Sequence, residues 1–171
     1  TPEYPWTATQ QIVIPGTDVR FRGRIDRVDL RPNGTAVRIT DYKTSESPQR
    51  ATAVVLAGGA ELQRVLYAIA ARQLLPDVRA VVTRLVYLAG ETPPLRLQGD
   101  QLDAAMADAA AFIGIASRIV RAGTAVPGPD ARERYHDMRM ALPADRDAYL
   151  RRKQQAFTAV LNDLAPLWEQ P

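Results

Sequence analysis

Residues 38–47, "RITDYKTSES", set Asp41 two positions before Lys43. The lysine is unusual here, because with Lys153 it makes only two in a chain that carries twenty arginines. Side chains two apart on a strand share a face, so Asp41 and Lys43 project together, in line with Val37 and Ile39. Upstream, "GRIDRVDLR" followed by "PNG" predicts a hairpin whose first strand can bring Asp26 alongside them. Two carboxylates and an ammonium would then meet at the end of an otherwise apolar sheet face. Carboxylates packed that closely repel unless neutralised. Lysine supplies one positive charge, and a divalent cation would supply the rest. Mg²⁺ accepts hard oxygen ligands with only one or two carboxylates and keeps several waters. A compact, titratable lysine can orient a water beside such an ion as the ammonium, or deprotonate it as the neutral amine, a role a bulky and permanently charged guanidinium does not fill. Asp-x-Lys by itself is most often a surface ion pair, and Asp26 alone reads equally as one charge on a solvated strand face.

Something must position these groups. "TPEYPWTATQ" reads as an irregular lead-in, and "QQIVIPG" as a short apolar run ended by Pro-Gly. "TDVRFRGRIDRVDLR" alternates as one strand, and "TAVRITDYKT" is its return. After the polar loop "SESPQRAT", "GAELQRVLYAIAARQLLP" has Leu62, Val65, Leu66, Ile69 and Ala70 at helical spacing and stops at Pro76. "VRAVVTRLVYL" is strand-like. "GDQLDAAMADAAAFIGIASRIVRAG" is a long helix with Asp100 as its N-cap and Gly123 as its stop. A Pro- and Gly-containing loop leads into a charged amphipathic helix over 143–170. Strand, hairpin, strand, helix, strand, helix and a helical tail suit a mixed sheet with helices packed on it, in the α/β or α+β class.

Composition narrows the class. With 171 residues, 46% hydrophobic and 24% charged, the chain can bury a real core. No apolar run approaches the roughly 20 residues that span a bilayer, and no signal peptide opens the chain, so a cytoplasmic protein without a membrane partner is the expectation. The absence of cysteine excludes a disulfide, a thiolate metal site and a cysteine-held iron–sulfur cluster. A net charge of +3 permits a polyanionic partner without requiring one.

"GRIDRVD" at 23–29, "ITDYKT" at 39–44 and "LQRVLYA" at 62–68, in that order, resemble the PD-(D/E)XK nuclease superfamily. Within it they are most similar to the RecB/AddB-type nuclease domain of bacterial recombinational helicase–nucleases, and they are similar also to CRISPR-associated and viral exonuclease members. The resemblance implies a restriction-endonuclease-like mixed sheet flanked by helices, with a C-terminal helical tail. It implies that Asp26, Asp41 and the carbonyl of Tyr42 hold Mg²⁺ or Mn²⁺, that Lys43 is catalytic, and that Gln63 and Tyr67 form the family's Gln-x-x-x-Tyr pair on one helix face. Without the family, Gln63 and Tyr67 would more often be ordinary helix-surface residues. The substrate implied is DNA, cleaved exonuclease-fashion, and the partner is a helicase subunit or a helicase domain of the same protein.

Two departures accompany it. Family members begin with a helix whose acidic or histidine residue completes the metal site, and only about twenty residues precede "GRID" here. The expectation is therefore one nuclease-like domain over 1–171, an N-terminally truncated fragment with a core of about 11–125 and a helical extension of about 126–171. Second, many relatives close the domain with an iron–sulfur cluster. "ERYHDMRMALP" at 133–143 resembles that segment with Glu133, His136 and Leu142 in the cysteine positions, so no cluster can form and His136 is a vestige. Leu150, Phe157, Val160, Leu161 and Leu164 must then hold the tail by apolar contacts. The arginines of the first strand could neutralise DNA phosphates. Arg20 and Arg22 read equally as a solvated edge, whereas Arg24 and Arg27 are the candidate DNA contacts.

Overall fold

The Pro-Gly and Pro-Asn-Gly signals both make turns, each with its glycine in the left-handed region. In the first, Gly16 adopts φ +72° and Thr17 N–H donates to the Ile14 carbonyl at 3.1 Å. In the second, Gly34 adopts φ +69° and its N–H donates to the Arg31 carbonyl at 2.8 Å. A side chain would be strained at either position. The computed structural model describes residues 2–5, 10–46, 56–89, 91–124 and 140–168. The chain divides into two compact units, residues 1–114 with 167–171, and residues 115–166.

The first unit is built on a five-stranded sheet. In chain order the strands are β1 (Pro2–Pro5), β2 (Ile12–Val13), β3 (Arg20–Phe21), β4 (Arg24–Leu30), β5 (Ala36–Glu46), β6 (Ala80–Ala89) and β7 (Leu95–Gln98). The large sheet runs β1-β4-β5-β6-β7, and β2 pairs with β3 in a separate two-stranded ribbon. All pairings in the large sheet are antiparallel except β5–β6, which is parallel and reached through helix α1 (Gln63–Leu74). Parallel neighbours need such a crossover, since a tight turn can only reverse the chain. The mixed sheet flanked by helices that the resemblance implies is therefore present.

The core lies on one face of this sheet. Val28, Val37, Ile39, Val81 and Leu97 cluster there with Val65, Ala68 and Ile69 of α1, and with Leu102, Ala105 and Ala109 of helix α2 (Gly99–Arg121). Period-2 spacing on the strands meets three- and four-residue spacing on the helices, so each element presents one apolar stripe. Gln73 near the end of α1 pairs with the backbone of Val13 in both directions, accepting at 3.2 Å and donating at 2.7 Å, which ties β2 to the helix.

Several elements differ from their sequence reading. The single strand expected over 17–31 is interrupted at Arg22-Gly23, because β3 pairs with β2 while β4 pairs with β1 and β5. Alternation cannot reveal a change of partner. The lead-in contains β1, and "LRLQ" forms β7, a four-residue strand too short for alternation to predict. Asp100 lies in the first turn of α2 rather than at its cap. Residues 47–55, most of the expected polar loop, lie outside the described residues, as do Glu133 and His136. In the second unit, α3 (Arg146–Leu161) starts three residues after Pro143 because Asp145 caps it, its carboxylate accepting from Ala148 N–H at 3.0 Å. A 3₁₀ turn (Asn162–Leu164) leads to the short α4 (Ala165–Trp168).

Candidate active site

Alternation along β5 puts Val37, Ile39 and Asp41 in the interior and leaves Lys43 half-buried on the same face. The β4–β5 register runs from Leu30↔Val37 to Arg27↔Thr40. One further step would set Asp26 opposite Asp41, a like-charged pair that a ladder disfavours. The strands end their pairing there, and Asp26 Oδ2 instead accepts the Tyr42 backbone N–H at 3.0 Å. A carboxylate thus takes the place of the next ladder carbonyl, and both aspartates are held beside Tyr42. Lys43 Nζ lies 2.8 Å from Asp41 Oδ2, with only 6% of the Asp41 side chain exposed.

Helix α1 holds both strands of this arrangement. Gln63, in its first turn, accepts a hydrogen bond from Lys43 Nζ through Oε1. One turn later Tyr67 donates from its hydroxyl to the Arg24 carbonyl on β4 at 2.9 Å, two residues before Asp26. The i, i+4 spacing places the two side chains on one helix face, so one rigid element fixes the lysine of β5 and the backbone of β4 together.

The electrostatics follow from burial against pairing. Burial of Lys43 works to lower its pKa, but pairing with Asp41 and the nearby charges of Glu61 and Tyr67 outweigh it, leaving the ammonium above the usual lysine value. Burial, then the negative charges of Asp41 and Asp26, push the Tyr67 phenol up. Asp41 Oδ2 is buried, and its partner there is the Lys43 ammonium 2.8 Å away. A carboxylate oxygen is the donor type a hard divalent cation takes, so Asp26 and Asp41 are chemically suited to Mg²⁺ or Mn²⁺ with several retained waters. Among the described residues no group of three or more His, Cys, Asp or Glu side chains is placed to hold a metal.

Sequence reading missed two charged groups here. Glu61, two residues before Gln63, has Oε1 buried with no hydrogen bond, and its charge acts on both Lys43 and Arg64. Arg64 is only 2% exposed. Burial lowers its pKa, opposed by the charges of Glu61 and Tyr87. A charged residue inside a helical apolar pattern was the available signal for Arg64. Of the candidate DNA contacts, Arg24 is exposed at the start of β4, beside the Tyr67 anchor. Arg27 follows Asp26 directly and therefore points to the other side of the sheet, where it donates to Asp29 at 2.9 Å. Arg20 and Arg22 are exposed, and Arg20 donates to Gln11 at 3.2 Å.

A sequence model of the PD-(D/E)XK nuclease superfamily matches residues 3–167. Searches of curated proteins and of solved structures give no significant match. No helix among the described residues is long and apolar enough to cross a membrane.

Proposed function

The chain belongs to the PD-(D/E)XK nuclease superfamily, whose members hydrolyse phosphodiesters with divalent metals such as Mg²⁺ or Mn²⁺, and on that premise we propose that it is a metal-dependent deoxyribonuclease of the RecB/AddB type. Its setting would be a recombinational repair system, acting exonuclease-fashion with a helicase subunit or domain. The observation that carries the reading is the Lys43 ammonium held between Asp41 and Gln63, next to the Asp26 carboxylate bound to Tyr42 N–H.

Asp26, Asp41 and the Tyr42 carbonyl would hold the ion, which supplies Lewis-acid polarisation of the scissile phosphate. Lys43, kept protonated, orients the attacking water and offers positive charge where the phosphorane oxygens gain negative charge. Gln63 positions Lys43, and Tyr67 fixes the strand bearing Asp26. Arg24, exposed at the start of that strand, would contact a substrate phosphate. The described residues supply only two side-chain carboxylates to the ion, which favours one rival, a catalytically incomplete module that binds DNA ends or braces a helicase.

Cleavage of linear DNA by the purified full-length protein with Mg²⁺ or Mn²⁺ separates these readings. Wild type is expected to cut and Asp41→Asn to lose cutting by about 10²-fold or more. Binding of DNA ends without metal-dependent cutting by the wild type would overturn the nuclease reading in favour of the incomplete module.

A further inference from the structure

The sheet has a second face, and pairing register determines which side chains share it. In one row Arg27 lies opposite Thr40, Thr40 beside Arg84, and Arg84 opposite Arg96. In the next, Asp29 lies opposite Arg38, Arg38 beside Val82, and Val82 opposite Gln98. Laterally paired residues point to the same side of a sheet, and these occupy the β5 positions that alternate with Asp41 and Lys43. Four arginines are thus displayed across four adjacent strands. Three strand spacings separate the first from the last, about 14 Å.

Among the described residues one carboxylate serves this array. Asp29 accepts from Arg27 at 2.9 Å through one oxygen and from Arg38 at 3.0 Å through the other. Arg84 donates to Thr40 Oγ1 at 2.7 Å, and the exposed Arg96 side chain makes neither an ion pair nor a hydrogen bond among the described residues. Yet Arg84 and Arg96 are direct cross-strand partners, an arrangement that costs stability unless something neutralises it. Burial, then the positive charge of Arg38 and more weakly that of Arg27, lower the Arg84 pKa, as expected for guanidiniums crowded without enough counter-charge. A groove of about 530 Å³ opens beside them, lined among others by Asp29, Arg31, Arg38, Arg96 and Gln98.

We propose that this face binds the phosphate backbone of a DNA segment, at a contact separate from the carboxylate–lysine site on the opposite face. Guanidinium forks match phosphate oxygens bidentately, and strands present them at a fixed spacing that a flexible loop would not. Among the described residues the face carries no base-reading element, so binding there is indifferent to sequence. The contact goes beyond the proposed hydrolysis and does not depend on it.

The test measures binding of the full chain to fluorescently labelled duplexes in EDTA, across a salt series, so that its outcome is independent of cleavage. Replacing Arg84 and Arg96 together by Gln is expected to reduce the slope of log affinity against log salt by about 1.8, and Arg96→Gln alone by about 0.9. The loss should be equal for two duplexes of unrelated sequence. Thermal melting establishes that the variants are folded, and the exposed Arg96→Gln decides the matter if the double variant is not. An unchanged slope in folded Arg96→Gln, or a loss confined to one duplex sequence, would overturn the proposal.

Discussion

Lys43 sets a single compact charge between two acceptors in an arginine-rich chain. Its ammonium sits 2.8 Å from Asp41 while Gln63 accepts from it, and 26% of its side chain remains exposed toward solvent. A guanidinium fork at the end of a similar stem would overreach both partners and direct its planar donors away from a single point. Lys43→Ala and Lys43→Arg are therefore both expected to reduce single-turnover cleavage by about 10²-fold or more, with DNA affinity nearly unchanged. Cleavage near the wild-type rate by the arginine variant would mean that charge alone, and not a compact ammonium, is what the position requires. The pairing of Asp41 with Lys43 was legible from two-residue spacing. Glu61 was not, because an acid ahead of a helix is ordinary, and only the folded chain brings its charge to Lys43 and Arg64.

At the scale of elements, α1 is the part that joins the two strands of the site. Its apolar stripe of Val65, Ala68 and Ile69 packs on the sheet, while Gln63 and Tyr67 reach the strand ends. Tyr67→Phe keeps the ring and removes only the hydroxyl that holds the Arg24 carbonyl at 2.9 Å. The expected cost in stability is about 0.5–1.5 kcal/mol by chemical denaturation. On the proposed reading the phenol acts by positioning a strand, so cleavage should fall far less than in the Lys43 variants. A loss as large as that of Lys43→Ala would instead give Tyr67 a direct part in the chemistry.

At the scale of the whole molecule, the second unit carries its own apolar stripe. Leu150 and Leu161 are buried, Phe157, Val160 and Leu164 half-buried, and the rings of Tyr149 and Phe157 lie 6.2 Å apart at 56°. A fully buried phenylalanine loses roughly 3–5 kcal/mol on truncation to alanine. Because Phe157 is only partly covered, Phe157→Ala is expected to cost about 1.5–2.5 kcal/mol, part of it from the aromatic pair. Urea denaturation of the two proteins measures this directly, and an unchanged midpoint would remove Phe157 from the account of how the tail is held.

What the sequence determined by itself was local and periodic: the two turns, because Pro-Gly and Pro-Asn-Gly call for glycine φ angles that few residues adopt, the helices, and the common face of Val37, Ile39, Asp41 and Lys43. The order of the three motifs carried the superfamily. Tertiary structure alone decided which strands are neighbours, and with that the break at Arg22-Gly23, the strands β1 and β7, and the turning of Arg27 away from Asp26 toward Asp29. The physical reason is that alternation specifies a side of a sheet but not a partner. A partner is chosen by contacts between residues far apart in the chain, and those exist only once the sheet has assembled.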